Sequence, residues 1–267
     1  MDIRYPSVAG LFYPGDAAKL RHDIKDFMDA AGALAGNPPK AIVAPHAGYI
    51  YSGQVAGYSY AAIHELSRRV TRVLVFAPAH RYPFRGMAVP SQDAFSTPLG
   101  EIPLDDPGIE TALTHPQVSR LDRAFDGEHA IEVQLPFLQQ SLEEFSLVPI
   151  LVGATSEDAV AEVMNLLWGG GETLIVISSD LSHYLSYEQA KSQDGVTRQH
   201  IEHLHSESLT GNHACGYLPL RGLLRVARER ELEVRTLDMR NSGDTAGPRN
   251  QVVGYGAYAF YAHDPDL

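Results

Sequence analysis

Cysteine is nearly absent from this sequence. Cys215 is the single one in 267 residues, so no disulfide can form within the chain. That excludes a disulfide scaffold and leaves one thiol, readable as a small buried hydrophobe, a nucleophile or a metal ligand. No apolar run approaches the roughly 18 consecutive residues that a membrane helix needs. Positive charge is scarce too, with 21 Lys and Arg against 33 Asp and Glu and a net charge of −12. A nucleic-acid backbone is held by a basic stripe, so neither nucleic acid nor membrane is expected as a partner. At the start, Met1-Asp2-Ile3-Arg4-Tyr5 places charge where a secretory signal would need an apolar core, and a cytoplasmic location is the expectation.

What is present is ordinary globular composition, 44% hydrophobic and 20% charged. No repeat, low-complexity tract or linker interrupts it, and residues 1–267 are expected to form one domain. Residues 40–44, 72–77, 146–152 and 173–178 read as buried strands. Residues 54–66, 128–142, 157–168, 188–208 and 216–229 read as helices. The second of these has Asp126 ahead of it as an N-cap and Pro136 inside it as a kink or break. Residues 87–90 and 96–102 suggest a small β excursion, and 233–239 and 252–261 two closing strands. Strands separated by helices imply a mostly parallel sheet covered on both faces. The expected fold class is α/β, a three-layer α/β/α sandwich with a mixed central sheet whose closing strands add antiparallel edges.

Ligands of such sheets gather outside the carboxyl ends of the strands. Three runs here end near an imidazole: Pro45-His46, Ala79-His80, and Ser179-Asp180-Leu181-Ser182-His183. One histidine after one strand is ordinary, but three at the ends of parallel strands converge on one crevice. Two imidazoles and one anionic group suit a divalent transition metal, and each imidazole then needs a partner on its other nitrogen. Cys215, Glu128, Glu132 and Asp180 all stand open as the third ligand. Cys215 lies in a turn-rich stretch, 210–217, that opens a helix, and a helix N-terminus favours a thiolate. Glu128 and Glu132 share a face of the expected helix, with His129 adjoining Glu132. His200, His203 and His205 lie along one helical pattern, and His22, His64, His115 and His263 sit in surface-like contexts. None of these seven is expected to function. Gly169-Gly170-Gly171 precedes a strand instead of following one, so it reads as a turn and not a dinucleotide loop.

Taken in order, the motifs resemble one family. They are Arg4, Pro6, Ala9-Gly10 and Phe12-Tyr13-Pro14, then Pro45-His46-Ala47-Gly48-Tyr49 and Ala77-Pro78-Ala79-His80. Phe95, Thr97-Pro98-Leu99-Gly100, Glu128-His129, Glu132 and Gln134-Leu135-Pro136 follow, then Ser178-Ser179-Asp180, Ser182-His183 and Cys215-Gly216. From end to end the chain resembles the Memo (mediator of cell motility) family, whose prokaryotic members are called AmmeMemoRadiSam system protein B. That family is similar in fold to the class III, LigB-like extradiol dioxygenases, which hold non-haem iron(II) with two His and one Glu. In Memo-like proteins a Cys takes the place of the Glu. The resemblance therefore implies His46, His80 and Cys215 as metal ligands, and His183 as catalytic acid/base with Asp180 beside it. It places Glu128, His129 and Glu132 around the pocket, where an outer-shell role is the expectation.

The leading expectation is a metal-dependent, dioxygenase-like oxidoreductase of unknown substrate, an aromatic small molecule by analogy. Iron(II) is the first metal expected, with copper or zinc after it, because a thiolate is softer and more oxidisable than a carboxylate. The competing expectation is a non-catalytic adaptor or peptide-binding protein that keeps the pocket, with Tyr49, Tyr51 and Tyr82 as exposed aromatics around it. A third is a metal-handling component that assists a radical-SAM partner protein.

Overall fold

The structure, a computed structural model, describes residues 1–32 and 37–262. The first half runs β1 (Ile3–Arg4), α1 (Ala17–Ala31), β2 (Ala41–Ala44), α2 (Tyr49–Ala61), β3 (Arg72–Pro78), β4 (Met87–Val89), β5 (Ala94–Thr97), β6 (Gly100–Pro103), α3 (Asp106–Leu113) and β7 (Val118–Arg120). The second runs α4 (Leu135–Ser141), β8 (Ser146–Val152), α5 (Glu157–Leu166), β9 (Thr173–Ser178), β10 (His183–Leu185), α6 (Tyr187–Glu202), α7 (Tyr217–Glu229), β11 (Glu233–Asn241) and β12 (Val252–Tyr261).

The main sheet has the order β10-β12-β2-β9-β3-β8-β4-β7, with β11 also paired to β12. Its centre, β2-β9-β3-β8, is parallel. Every residue of β2 and β9, and all but the first of β3 and β8, is buried. Strands covered on both faces read as unbroken apolar runs for this reason. Helices α1, α2 and α4 pack together on one side, α3, α5 and α7 on the other, and α6 covers β11 and β12. The α/β sandwich expected from the sequence is the fold observed. The antiparallel members sit differently from expectation. β12 pairs with β2 inside the sheet, and β4 adds an antiparallel pairing to β8. A second, three-stranded sheet joins β1 to the hairpin β5-β6.

Two helices came close only because glycine allowed it. A Cβ on Gly57 of α2 would stand 2.4 Å from the Phe27 carbonyl oxygen of α1. No helix among the described residues is long and apolar enough to cross a membrane.

The helix expected over 128–142 is not formed as such. Residues 128–131 are turns, Glu132–Gln134 is one 3-10 turn, and α4 begins only at Leu135, with Pro136 in its first turn. The Glu128 carboxylate accepts the amides of His129 (2.8 Å) and Ala130 (3.0 Å), which closes a turn where a helix would otherwise start. Proline is tolerated in a first turn because its missing N–H would be unpaired there anyway. Asp126 caps no helix; it ends the 3-10 turn Asp122–Phe125. His115, expected at the surface, is buried and paired through Nε2 with Glu162 at 2.9 Å. His263 lies outside the described residues.

Candidate metal centre

Three neighbouring strands deliver the site. β2 and β3 flank β9, so His46, His80 and the segment 179–183 leave adjacent carboxyl ends. The loop before α7 brings Cys215 onto the same spot. A Cβ on Gly216 would lie 2.7 Å from Ser179 Cβ and 2.8 Å from Ser178 O, so glycine lets this loop touch the strand end. The donor atoms of His46, His80 and Cys215 all lie within 4.8 Å of one another. His46 Nε2 and Cys215 Sγ are 3.3 Å apart. Two such donors on one tetrahedral ion stand about 3.5 Å apart, so the spacing fits.

Hydrogen bonding fixes which nitrogen of each ring is free. Ser178 Oγ donates its one proton to Ala130 O (2.6 Å) and accepts from Gln134 Nε2 (2.8 Å). It can only accept again, so His46 Nδ1, at 2.9 Å, carries the proton and Nε2 presents its lone pair. His80 Nδ1 faces Glu128 Oε1 at 3.1 Å and donates to it, which leaves His80 Nε2 free in the same way. His183 Nδ1 donates to Leu181 O at 2.8 Å, and its Nε2 is free as well. Gln134 is itself held: it accepts from Tyr60 Oη (2.8 Å) and donates to Pro45 O (3.0 Å). Gln134 and Ser178 both stand in the motifs of the sequence, but neither was given a role there. A glutamine and a serine at fully buried positions of otherwise apolar runs were the signal available.

Electrostatics suits His46 as a ligand and opposes the thiolate of Cys215. Burial, then the neighbouring His80 and His129, hold His46 well below the usual imidazole range, so it is neutral. Burial opposes the charge of Glu128, but the side-chain and backbone hydrogen bonds from His80 outweigh it and hold the carboxyl at about 2. Burial, reinforced by Asp180, pushes the Cys215 thiol up to about 12, against the sequence expectation that the helix end favours a thiolate. A bound cation would supply the missing charge and release that proton.

The remaining candidates separate. Asp180 is buried, and its Oδ1 accepts the His46 amide at 2.8 Å. It therefore braces His46, while His183 is oriented by the Leu181 carbonyl. His129 lies closer in than an outer-shell group: its ring stacks on His80 at 5.0 Å and meets His46 edge-on at 5.5 Å. Its buried Nδ1 makes no hydrogen bond, although Glu128 Oε1 is 3.4 Å away. His80, Glu128 and His129 form a second group of converging donors. Glu132 is absent from both groups. It accepts from Ser7 N (2.8 Å), Val8 N (2.8 Å), Tyr13 Oη (2.9 Å) and Arg4 Nη1 (3.2 Å), tying the N-terminal segment down.

A cavity of about 760 Å³ opens over the donors, lined among others by Phe12, Tyr51, Arg81, His183, Tyr184 and Tyr255. Tyr184, 71% exposed and in the left-handed region at φ 58°, stands at its edge and was not foreseen. Tyr49 is buried with its hydroxyl on Val133 O, and Tyr82 borders a different groove, so only Tyr51 of the three expected aromatics lines this cavity.

The loop bearing His183 is fixed by Asp194 of α6, 2% exposed, whose Oδ1 accepts Ser182 N–H at 3.0 Å. Burial pushes this carboxyl from 3.8 up to about 6, against the Ser182 hydrogen bonds. A raised folded value means that stability falls as pH climbs from 3.8 through about 6, by about 3 kcal/mol in full. Asp194→Asn keeps the acceptor and removes the charge. It is expected to gain about 1–3 kcal/mol at pH 8 and little at pH 4, read from urea midpoints. An equal change at both pH values would contradict this.

Comparison with known proteins places the chain. A family model described as Memo-like protein matches residues 4–259. A MEMO1 family protein of Aquifex aeolicus is 35% identical over 271 residues, covering 96% of this chain and 98% of the relative. One from Methanosarcina mazei is 34% identical over 275 residues, with 96% and 98% covered. One from Sulfolobus acidocaldarius is 32% identical over 277 residues, with 95% and 97% covered.

Proposed function

This chain belongs to the Memo family, and on that premise we propose that it is a transition-metal protein with oxidoreductase chemistry on a small, aromatic molecule. His46, His80 and Cys215 hold the ion, iron(II) first and copper next, with zinc a third choice. The observation that carries the reading is the shared hydrogen-bond pattern: His46 and His80 both donate through Nδ1 to outer partners, which leaves Nε2 free on each, and a donor atom of each lies within 4.8 Å of Cys215 Sγ, His46 Nε2 at 3.3 Å.

An ion held by three protein donors would supply open positions and Lewis acidity to a chelating substrate. The chain's own residues do the rest. His183, with Nδ1–H on Leu181 O, takes a proton at Nε2 from a substrate hydroxyl in the cavity. Phe12, Tyr51 and Val253 supply apolar wall for a ring and displace water. An aromatic diol is the first substrate to try, and a reducing, cytoplasmic setting suits the lone thiol. A radical-SAM protein is the partner proposed on the resemblance.

The test is metal analysis of anaerobically purified protein. About one equivalent of iron or copper is expected in the wild type, lost in Cys215→Ser, with oxygen uptake on adding a catechol. Full metal retention by Cys215→Ser overturns the assignment. A second reading, a peptide-binding adaptor, is favoured by the exposed Tyr184 and Tyr51 rings at the cavity mouth. Metal-dependent oxygen uptake on a diol argues against it.

A further inference from the structure

A second group of imidazoles lies away from the pocket, where the helix α6 ends. The sequence pattern suggests one helix through residue 208, but the chain leaves the helix at Glu202. His203 is the last half-helical residue, and Leu204 takes the left-handed conformation at φ 56°. Two backbone bonds close the reversal: His205 N–H to His200 O at 2.8 Å, and Leu204 N–H to Ile201 O at 3.1 Å. This is a Schellman motif, in which the side chains at the two ends of the longer bond meet. That contact is usually hydrophobic. Here both positions are histidine, and the residue between them at the helix end is histidine as well.

The rings are close. His200 and His205 centroids are 6.3 Å apart, and His203 and His205 are 5.7 Å apart. In the pocket, His46 and His80 stand at 5.1 Å. Two imidazoles on one tetrahedral ion hold their centroids about 5 Å apart, so each of these two pairs lies within a side-chain rotation of ligation. His203 Nδ1 donates to Gln199 O at 2.8 Å, leaving Nε2 free. Among the described residues the His200 and His205 rings carry no hydrogen bond. His213 approaches His200 at 5.7 Å but is of another kind. Its Nδ1 accepts the Thr210 amide at 3.1 Å, so the proton sits on Nε2, the nitrogen that a metal would need. The negative end of the helix dipole and the nearby Glu207 carboxylate both favour a cation here.

We propose that His200, His203 and His205 form a second, exposed site for a borderline divalent transition metal such as zinc. The site is independent of the reading of the pocket. Among the described residues, the groups of three donors already within 4.8 Å of one another are the two in the pocket, so rotation of these side chains precedes binding and the affinity is the weaker of the two.

The test is calorimetric titration of untagged, full-length metal-free protein with zinc. Two classes of binding are expected, the tighter removed by Cys215→Ser and the weaker left in place. His205→Ala is expected to weaken the second class by about tenfold or more. His213→Ala is expected to leave it unchanged. These side chains are on the surface, and circular dichroism of each variant confirms the fold. Absence of the weaker class in the wild type, its survival in full in His205→Ala, or its loss in His213→Ala overturns the proposal. Absence of the tighter class from the wild type, with the weaker class present, would count against the pocket and leave this site standing.

Discussion

Glu132→Ala is expected to destabilise the protein by about 3–5 kcal/mol. Its carboxylate is 1% exposed and holds four donors from one segment: two amides, a phenol and the Arg4 guanidinium. Removing it takes this acceptor from both amides and the phenol, and it takes the counter-charge from Arg4, whose side chain is only 11% exposed and keeps the Phe125 and Glu128 carbonyls. An unpaired buried donor costs about 1–3 kcal/mol and a buried unpaired charge more. Burial and the Glu132 charge already push the Tyr13 phenol far above its ordinary range, so that proton stays in place. Chemical denaturation measures the loss, with Tyr13→Phe as the milder comparison at about 1 kcal/mol. If Glu132→Ala unfolds at the wild-type midpoint, the anchor role assigned to it is wrong. Metal affinity in the folded fraction is expected to hold, since Glu132 reaches no donor atom of the centre.

The second large effect is expected on the metal binding proposed above. Glu128 is ionised, buried and bonded to His80 twice, through the ring at 3.1 Å and through the backbone amide. Glu128→Gln can still accept one of these bonds but no longer stabilises the donated Nδ1 proton with a charge. The His80 lone pair then becomes a weaker and less well-aimed donor. Loss of such a partner typically costs about 10–100-fold in metal affinity. A competition titration against a coloured chelator reads this directly. An unchanged constant would mean that His80 does not ligate. The carboxyl also marks a pH boundary. It titrates at about 2 in the fold against 4.5 ordinarily, so its stabilisation is complete above about 4.5 and disappears as pH falls toward 2. The variant should therefore lose the steep acid-side slope of the wild-type stability curve.

The layers of the fold were legible because the buried strands are unbroken apolar runs, which only a sheet covered on both faces requires. The order of the sheet was not. Nothing in the alternation of 252–261 distinguishes an edge from an interior strand, and the whole span is buried except for Val253 and Tyr261. Around the pocket, residue types at strand ends were enough to single out His46, His80 and His183, because chain direction alone sets where they emerge. Partners were harder. Asp180 adjoins His183 in sequence yet bonds the His46 amide, a choice made by how β2 and β9 pair. Glu128 and Glu132 looked like one helical face and are two separate anchors, since the Glu128 carboxylate folds its own backbone into a turn. The histidines of α6 looked like scattered polar residues on a helix. Their meeting depends on one leucine adopting a conformation that leucine rarely takes.

The interior position of β12 carries a consequence for synthesis. Strand β2, which leads straight into His46, pairs with β9 on one side and with β12 on the other. A ribosome releases residues 41–44 about two hundred residues before 252–261. Through that interval β2 has a raw, apolar edge, the kind that templates pairing with other chains. Shortened products ending ahead of residue 252 should collect in the insoluble fraction even though they contain His46, His80 and Cys215.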